Sequence, residues 1–207
     1  MTWQKRIFDL FFVLQLWIIL TPFILGIALW LLVVQGRPVF YVSERMRSPD
    51  RAFGLVKFRT MTTVSCDSGP LGGHKSGRIT QAGAWLRARR LDELPQIWNI
   101  LKGDLSFVGP RPPVRKYVNL FPELYGRVLQ SHPGATGLAS LHFHKREELL
   151  LNRCKTIEET EAVYVRVCVP RKARLDLIYQ AHSSICYDFI LVMQTIRRIV
   201  FRLRRGA

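Results

Sequence analysis

An apolar segment close to the N-terminus constrains the fold more than any other feature of this sequence. It runs from Leu10 to Val34 and is interrupted only at Gln15, Thr21, Pro22 and Gly26. A helix of about 25 residues is long enough to cross a hydrocarbon core roughly 30 Å thick. The run is too long for a secretory signal, and no small-residue cleavage pattern precedes Arg37. The sequence therefore predicts a membrane-associated helix that is kept in the mature protein.

Two features of this segment favour a re-entrant hairpin over a helix that spans the bilayer. Pro22 removes one helical hydrogen bond near the middle, which predicts a break at Thr21 and Pro22 with the Thr21 hydroxyl as a local hydrogen-bond partner. Lys5 and Arg6 precede the segment and a strongly basic remainder follows it, so the positive-inside tendency places both ends in the cytoplasm. We expect a helix-break-helix over residues 1–36, with a kinked spanning helix as the alternative.

The remainder of the chain is strongly basic. The full sequence of 207 residues contains 31 Lys and Arg residues against 15 Asp and Glu residues, which gives a formal net charge of +16. Such a charge implies an anionic partner, which is a nucleic acid, an anionic bilayer surface or a phosphorylated substrate. The four cysteines have no metal-binding spacing, which is typical of reduced thiols in a cytosolic domain. The length allows one such domain, expected over residues 37–186, behind the anchor.

The stretch Arg87–Pro113, which reads RARRLDELPQIWNILKGDLSFVGPRPP, has the composition of a catalytic site. Pro95 is suited to the first turn of a helix, so Asp92 and Glu93 should lie just before a helix N-terminus, where negative charge is favoured. The prolines around Arg111 restrict its backbone. On local sequence alone, the two acids could equally be helix-capping residues.

Basic residues from two other segments are expected beside these acids. Lys57 and Arg59 alternate with apolar residues, so in a strand they would share one face. Residues 81–90 have a helical pattern that delivers Arg87 one turn ahead of Asp92. Two acids ringed by Arg and Lys suggest a site that handles phosphate with a metal ion. A solvated basic face is the alternative for Lys57 and Arg59.

Several motifs together resemble the bacterial sugar transferase family. They are LDELPQIWNILKGDLSFVGPRPP, KFRTM at Lys57–Met61, RIT at Arg78–Thr80 and HPGATGLA at His132–Ala139. The resemblance extends from about Lys5 to the C-terminus. It implies a monotopic phosphoglycosyl transferase of the bacterial inner membrane, with its catalytic domain on the cytoplasmic face. Ser76 and Ser140 depart from the family pattern, which commonly has an acid and a glutamine there.

The resemblance also implies a reaction and roles for individual residues. A sugar 1-phosphate would pass from a UDP-sugar to undecaprenyl phosphate, as the first membrane step of surface glycan synthesis. Asp92 would attack the donor and form a covalent phosphosugar intermediate, while Glu93 together with Asp92 would hold Mg²⁺. The residues expected to bind the substrate phosphates are Lys57, Arg59, Arg87 and Arg111. In the family a Ser-Pro or similar pair marks the membrane break, here Thr21 and Pro22.

The segments GRPVFYVSERM and FGLVKFRTM are expected to form short strands around a turn that contains Ser48, Pro49 and Asp50. A helix is expected over residues 117–129.

Three further segments have expected structures. Residues 62–77 are rich in Ser, Thr and Gly, which predicts a mobile surface loop that could close over substrate. The HPGATG segment predicts a turn whose glycine backbone could approach a ligand, and His142 and His144 are expected in a strand rather than at a metal. Residues 187–207 predict a basic amphipathic helix that lies on anionic inner-leaflet lipids, with a core-facing helix as the alternative.

The expected fold is a mixed α/β structure, a small membrane-seated catalytic domain with short strands and amphipathic surface helices. Two other functions are weighed against the transferase. A catalytically inactive family member could act as a membrane-associated interaction protein, which the departures at Ser76 and Ser140 leave open. A nucleic-acid-binding protein is disfavoured because it would not need an acidic pair inside a basic site, and no binding motif is visible. We therefore expect no nucleic-acid partner, and a homodimer is left open.

Overall fold

The computed structural model describes residues 2–62 and 77–205, with side chains described as far as residue 198. It is a mixed α/β structure, mostly helical with short strands, which confirms the expected fold class. The elements in chain order are α1 (Trp3–Gln35), β1 (Phe40–Met46), β2 (Ala52–Phe58), α2 (Gln81–Arg89), a 3₁₀ helix (Leu91–Gln96), α3 (Ile97–Lys102), β3 (Ser106–Val108), α4 (Arg115–Leu120), α5 (Pro122–Val128), β4 (Gly134–Thr136), α6 (Leu138–Leu151), α7 (Ile157–Val163), a π-helix (Tyr164–Cys168), α8 (Val169–Ala181) and α9 (Ile185–Arg205). The predicted loop over substrate and Ser76 lie outside the described residues.

Helix α1 is a single helix of 33 residues that continues through Pro22. The predicted break in the helix is therefore wrong as a statement about secondary structure. Proline removes only one donor and its fixed φ is itself helical, so the backbone can remain helical on both sides. Thr21 makes the expected local bond, because its hydroxyl donates to the Trp17 carbonyl at 2.6 Å.

Both ends of α1 contact the same globular body. Near its start, Lys5 forms an ion pair with Asp188 of α9, and Arg6 donates to two carbonyls at the end of α3 at 2.7 Å each. At its end, Arg59 donates to the Gln35 carbonyl at 2.6 Å. The two ends are thus held on one body, as a hairpin with both ends on one membrane face requires. The re-entrant membrane placement itself stays a prediction.

The outward side of α1 is an extended apolar surface. Only Asp9, Val13 and Leu31 are buried along its length, whereas Ile18 is 77% and Val33 86% exposed. This helix is long and apolar enough to cross a membrane. Exposed apolar area on this scale indicates contact with lipid or with another protein.

Helix α9 begins two residues before the predicted start and has two different sides. Leu191 and Asp188 are buried against the domain. A second set of apolar side chains on the same helix is exposed, and it consists of Ile185, Phe189, Ile190, Met193 and Ile196. The core-facing alternative therefore holds for one side of α9, while contact of its exposed apolar side with lipid stays a prediction.

The hairpin of β1 and β2 carries Lys57 of the candidate site. The strands pair antiparallel from Phe40 opposite Phe58 to Met46 opposite Ala52, as their sequences predicted. Asn99 of α3 donates to one β2 carbonyl at 2.7 Å and accepts from a β2 N–H at 3.0 Å. This buried amide fixes α3, and with it the 3₁₀ helix before α3, against the hairpin.

The glycines around β3 and β4 serve close packing of backbone on backbone. The two strands pair in parallel, Ser106 opposite Gly134. A Cβ built on Gly109 would lie 2.2 Å from the His132 carbonyl oxygen, and one on Gly134 would lie 2.1 Å from the Gly109 nitrogen. In this fold the HPGATG glycines approach the protein's own backbone, where the sequence suggested approach to a ligand.

This packing predicts a stability difference between two glycine substitutions. Gly109→Ala should lower the free energy of unfolding by about 1–3 kcal/mol, because the new methyl group meets backbone that has no room to shift. Gly126→Ala is the matched control, since no atom lies within 4 Å of its Cβ position in α5. It should be neutral or slightly stabilising. Thermal unfolding of both purified variants measures the difference; equal melting temperatures would contradict it.

Two other local expectations need correction. The single helix expected over residues 117–129 is split into α4 and α5, because Pro122 starts a new helix after Phe121. The strand expected at His142 and His144 is wrong, because both lie in α6. The alternation Leu-His-Phe-His imitates a strand, but it occupies only one turn of a 14-residue helix.

Candidate active site

Asp92 and Glu93 lie in the 3₁₀ helix that joins α2 to α3. Arg90 ends α2 in a left-handed conformation, with φ of +58°, and the chain restarts immediately as the 3₁₀ helix. The sequence placed the acids just before a helix opened by Pro95; in the structure they are inside the 3₁₀ turn, and Pro95 is its fifth residue. A non-glycine residue at positive φ costs free energy, and such conformations cluster at functional sites.

Glu93 is held by two cations from different parts of the chain. Its Oε1 accepts from Lys57 Nζ at 3.2 Å and from Arg111 Nη2 at 2.5 Å. Its side chain is 19% exposed. Burial alone would raise the pKa of Glu93, but the charges of Arg111, Lys57 and Arg90 hold it far below its ordinary value. Glu93 is therefore ionised at any physiological pH.

Asp92 is in the opposite electrostatic situation. Burial and the neighbouring charge of Glu93 raise its pKa, and Lys57 and Arg87 only partly oppose that rise. Within the part of the chain that the structure describes, no side chain hydrogen-bonds to the Asp92 carboxylate. A partly buried carboxylate that has reduced solvation and no side-chain partner among the described residues has the character expected of a nucleophile.

Arg111 reaches Glu93 from a firmly held segment. The chain after β3 is tied to β4 by the Gly109 N–H, which donates to the Thr136 carbonyl at 2.9 Å, and to β1 by the Met46 N–H, which donates to the Pro113 carbonyl at 2.9 Å. The charge of Glu93 raises the pKa of Arg111, against the effect of burial. Arg111 is thus a fixed cation at the acidic pair.

Arg87 lies at the same site, as its helical position predicted. It is in the last turn of α2, and its Nε donates to the Thr60 hydroxyl at 2.8 Å. Its charge opposes the rise in the pKa of Asp92. Lys57, Arg87 and Arg111 therefore all converge on the acidic pair, from β2, α2 and the segment after β3.

Comparison with known proteins identifies the family of this chain. The family model for bacterial sugar transferases matches residues 1–202. The chain belongs to the bacterial sugar transferase family. It is similar to a protein of Bacillus subtilis (strain 168) named uncharacterized sugar transferase EpsL, 38% identical over 196 residues, which cover 95% of this chain and 87% of that protein. The resemblance found in the sequence motifs is confirmed.

Other relatives of this sugar transferase are much longer proteins. Undecaprenyl-phosphate glucose phosphotransferase of Komagataeibacter xylinus is 31% identical over 206 residues, 96% of this chain but 36% of that protein. Undecaprenyl-phosphate galactose phosphotransferase of Salmonella typhimurium is 34% identical over 151 residues, 65% of this chain and 31% of that protein. The chain thus spans about a third of the length of these two relatives.

One residue expected at the site of this sugar transferase lies elsewhere. The Arg59 guanidinium donates to the Gln35 and Gly36 carbonyls at 2.6 and 3.0 Å, at the end of α1. Strand alternation put it beside Lys57, but β2 ends at Phe58 and the alternation does not extend past that point. Carbonyls at a helix C-terminus attract a cation, which accounts for its position.

A substitution separates this capping role from substrate binding. Arg59→Gln should destabilise the protein by about 1–2 kcal/mol, because a charged donor to the partly buried carbonyls at the end of α1 is lost. The KM for the sugar-nucleotide donor should change less than twofold. Lys57→Gln is the control at the acidic pair, and it should impair turnover instead. Thermal unfolding and donor titration on both variants test this; a KM increase of tenfold in Arg59→Gln would return the residue to the phosphate site.

Sequence reasoning missed two residues that face the site. Glu147 of α6 contributes to the electrostatics of Arg111 and forms an ion pair with Lys172 of α8 at 2.9 Å. None of the quoted family motifs covers Glu147, so no motif singled it out. The second is Arg45 of β1. Tyr41 pairs with Lys57, and Arg45 follows Tyr41 by an even number of residues, so strand alternation could have placed Arg45 on the same sheet face as Lys57.

The acidic pair also fits a magnesium ion that works together with substrate. Among the described residues there is no group of three or more His, Cys, Asp or Glu side chains that could hold a metal. Mg²⁺ is, however, usually bound by one or two carboxylates plus substrate phosphates, with water completing its shell. Asp92, whose carboxylate has no side-chain partner within the described ranges, supplies the kind of oxygen ligand this mode needs.

Proposed function

We propose that this chain is a phosphoglycosyl transferase that moves a sugar 1-phosphate from a UDP-sugar to undecaprenyl phosphate. The observation that carries the proposal is the contrast between two adjacent acids. Asp92 has no side-chain hydrogen-bond partner among the described residues, whereas Glu93 is bound by Lys57 and Arg111. A relative from Xanthomonas campestris pv. campestris is named UDP-glucose:undecaprenyl-phosphate glucose-1-phosphate transferase. It is 33% identical over 169 residues, which cover 79% of this chain and 34% of that protein. That name supports the donor and acceptor classes.

In the first step, an oxygen of the Asp92 carboxylate attacks the β-phosphorus of the donor. The new bond joins that oxygen to phosphorus, and the bond from phosphorus to the bridging oxygen breaks. Uridine monophosphate leaves with the electron pair, and the sugar phosphate remains on Asp92 as an acyl phosphate. Lys57, Arg87 and Arg111 provide positive charge around the transferred group, which carries negative charge throughout.

In the second step, an oxygen of the lipid phosphate attacks the same phosphorus. The bond to Asp92 breaks, the carboxylate is regenerated and the product is a lipid diphosphate sugar. Because the two substrates react in turn, a water-soluble donor and a lipid confined to the bilayer surface need not occupy the site together. This division suits a domain attached to the apolar surface of α1.

Asp92 and Glu93 would hold Mg²⁺ when it is bound together with the donor. The ion would reduce the negative charge of the diphosphate, which otherwise repels an anionic nucleophile. Lys57 and Arg111 offset the negative charge of Glu93 itself, since each contacts its carboxylate. They keep Glu93 ionised and in place beside Asp92.

The proposed location is the cytoplasmic face of the bacterial inner membrane. The exposed apolar side chains of α1 would enter one leaflet, and both ends of the helix would stay with the domain. The exposed apolar groups of α9, with the basic C-terminal sequence beyond them, would lie on anionic inner-leaflet lipids. Cysteine labelling that placed residues 2 and 205 on opposite faces would contradict the re-entrant arrangement.

The direct test is a release assay with the detergent-purified chain, Mg²⁺, undecaprenyl phosphate and a panel of UDP-sugars. We expect release of uridine monophosphate from at least one donor, with continued turnover only when the lipid acceptor is present. Release from no donor across the panel, by folded protein, would favour the alternative of an inactive family member that acts as an interaction protein.

A further inference from the structure

Arg45 of β1 shares a sheet face with Lys57. Residues that pair across an antiparallel ladder lie on the same face, and Lys57 pairs with Tyr41. Arg45 is four residues further along β1, so it lies on that face as well. The next residue, Met46, donates its N–H to the Pro113 carbonyl at 2.9 Å, which brings the end of β1 to the segment that carries Arg111. Arg45 is thus placed near Lys57 and Arg111, and its charge interacts with both.

The guanidinium of Arg45 has no bonded partner among the residues that the structure describes. Its Nε is fully buried and unsatisfied, and no hydrogen bond or ion pair to the side chain occurs within the described ranges. Arginine carries five N–H donors, and a buried donor without an acceptor is costly. The fold therefore maintains an unfavourable feature at this position, which calls for an acceptor from outside the chain.

The charges around Arg45 point to an anionic acceptor. Burial and the charge of Arg111 lower the pKa of Arg45, while Tyr164, Tyr41 and Glu93 oppose that effect. The carboxylates of Asp92 and Glu93 are faced by more cations than they can neutralise, namely Arg45, Lys57, Arg87 and Arg111. The carboxylate of Glu93 is already shared by two of them. A surplus of buried positive charge favours binding of an anion.

We propose that Arg45 is a further substrate-binding residue, whose free N–H donors bind a phosphate oxyanion of the substrate. This inference rests on the proposed phosphoglycosyl transfer and adds a residue to the same site. Two sources supply that chemistry, the diphosphate of the sugar nucleotide and the phosphate of the lipid. In either case the substrate neutralises Arg45 and accepts from N–H donors that have no partner among the described residues.

The first test is direct binding, without turnover. Titration calorimetry with magnesium pyrophosphate on the full chain in detergent compares the wild type with Arg45→Gln, Arg45→Lys and Arg47→Gln. Arg47 is the matched control, since it is an exposed arginine two residues away. We expect Arg45→Gln to weaken binding about tenfold or more, Arg45→Lys to fall between, and Arg47→Gln to change it less than twofold. Wild-type affinity in folded Arg45→Gln would overturn the proposal.

A second measurement separates substrate binding from a structural role. Loss of an unpaired buried charge should leave the melting temperature of ligand-free Arg45→Gln unchanged or higher. A marked drop in melting temperature together with normal pyrophosphate binding by Arg45→Lys and Arg45→Gln would assign Arg45 to the fold and overturn the proposal.

The two phosphate sources are separated by steady-state kinetics on Arg45→Lys. A higher KM for the UDP-sugar at saturating lipid assigns Arg45 to the donor, and a higher KM for undecaprenyl phosphate at saturating donor assigns it to the acceptor. Unchanged values for both would contradict the proposal. If the wild type releases no uridine monophosphate but binds pyrophosphate through Arg45, the proposed function fails while this anion site stands.

Discussion

Replacing Asp92 by asparagine should reduce release of uridine monophosphate from a UDP-sugar by a factor on the order of 10³ or more. The amide keeps the size of the side chain but cannot form the acyl phosphate. Glu93→Gln should also lose most activity, because Lys57 and Arg111 would no longer share a carboxylate. Activity alone therefore does not distinguish a nucleophile from its neighbour.

The two variants should differ in the sign of their effect on stability. The pKa of Glu93 is far below its ordinary value, so its ionised form stabilises the fold. That contribution is complete above the pKa of an unfolded glutamate, and it is lost as pH falls through the folded pKa. The pKa of Asp92 is raised, first by burial and then by the charge of Glu93. Its ionisation therefore destabilises the fold above the folded pKa, and this penalty is relieved as pH falls through the folded pKa.

At pH 7 we therefore expect Asp92→Asn to melt at the wild-type temperature or above it, and Glu93→Gln to melt clearly below it. Glu93→Gln leaves two partly buried cations without their carboxylate, which is a costly change. Thermal unfolding of both proteins in one detergent gives the comparison. If both variants melted lower by the same amount, the electrostatic contrast between the two acids would be wrong.

The second large effect concerns the attachment of α1 to the domain. Lys5 forms an ion pair with Asp188, whose side chain is 3% exposed and also accepts from the Tyr179 hydroxyl at 2.6 Å. Lys5→Met should destabilise the protein by about 3 kcal/mol or more, because the buried Asp188 would lose its cation. The Tyr179 hydroxyl oxygen also lies 3.3 Å from the Val108 carbonyl oxygen, so the damage should reach the end of β3.

Two comparisons make this prediction specific. Arg115 and Glu44 also form a direct ion pair, in which Arg115 Nε lies 2.8 Å from Glu44 Oε1, but these side chains are 48% and 57% exposed. Arg115→Met should therefore cost less than about 1 kcal/mol. The double variant Lys5→Met with Asp188→Asn should recover part of the stability lost in Lys5→Met, since no unpaired carboxylate remains. Additive losses in the double variant would contradict the ion pair's role.

Local sequence patterns were sufficient where one element determines the result. The β1–β2 hairpin followed from alternation around a Ser-Pro-Asp turn, and the placement of Arg87 beside the acids followed from helical spacing. The restricted segment around Arg111 followed from its prolines. In each case the physical cause lies within a few residues of its effect.

The features that sequence missed depend on contacts between distant elements. Arg59 caps α1 because the two chain segments meet in space, which strand alternation cannot reveal. That Arg45 has no bonded partner among the described residues is visible only once the surrounding groups are placed. Pro22 predicted a break, yet one missing donor does not outweigh the helical hydrogen bonds on either side.

The most direct test of the account is a search for the covalent intermediate. Purified chain is incubated with Mg²⁺ and a UDP-sugar labelled in the sugar, without lipid acceptor, and then digested for mass spectrometry. The account predicts one sugar phosphate per chain on the peptide that contains Asp92, an equal amount of free uridine monophosphate, and no label on Asp92→Asn. Label-free protein that still forms lipid product when both substrates are present would show direct transfer and contradict the Asp92 mechanism.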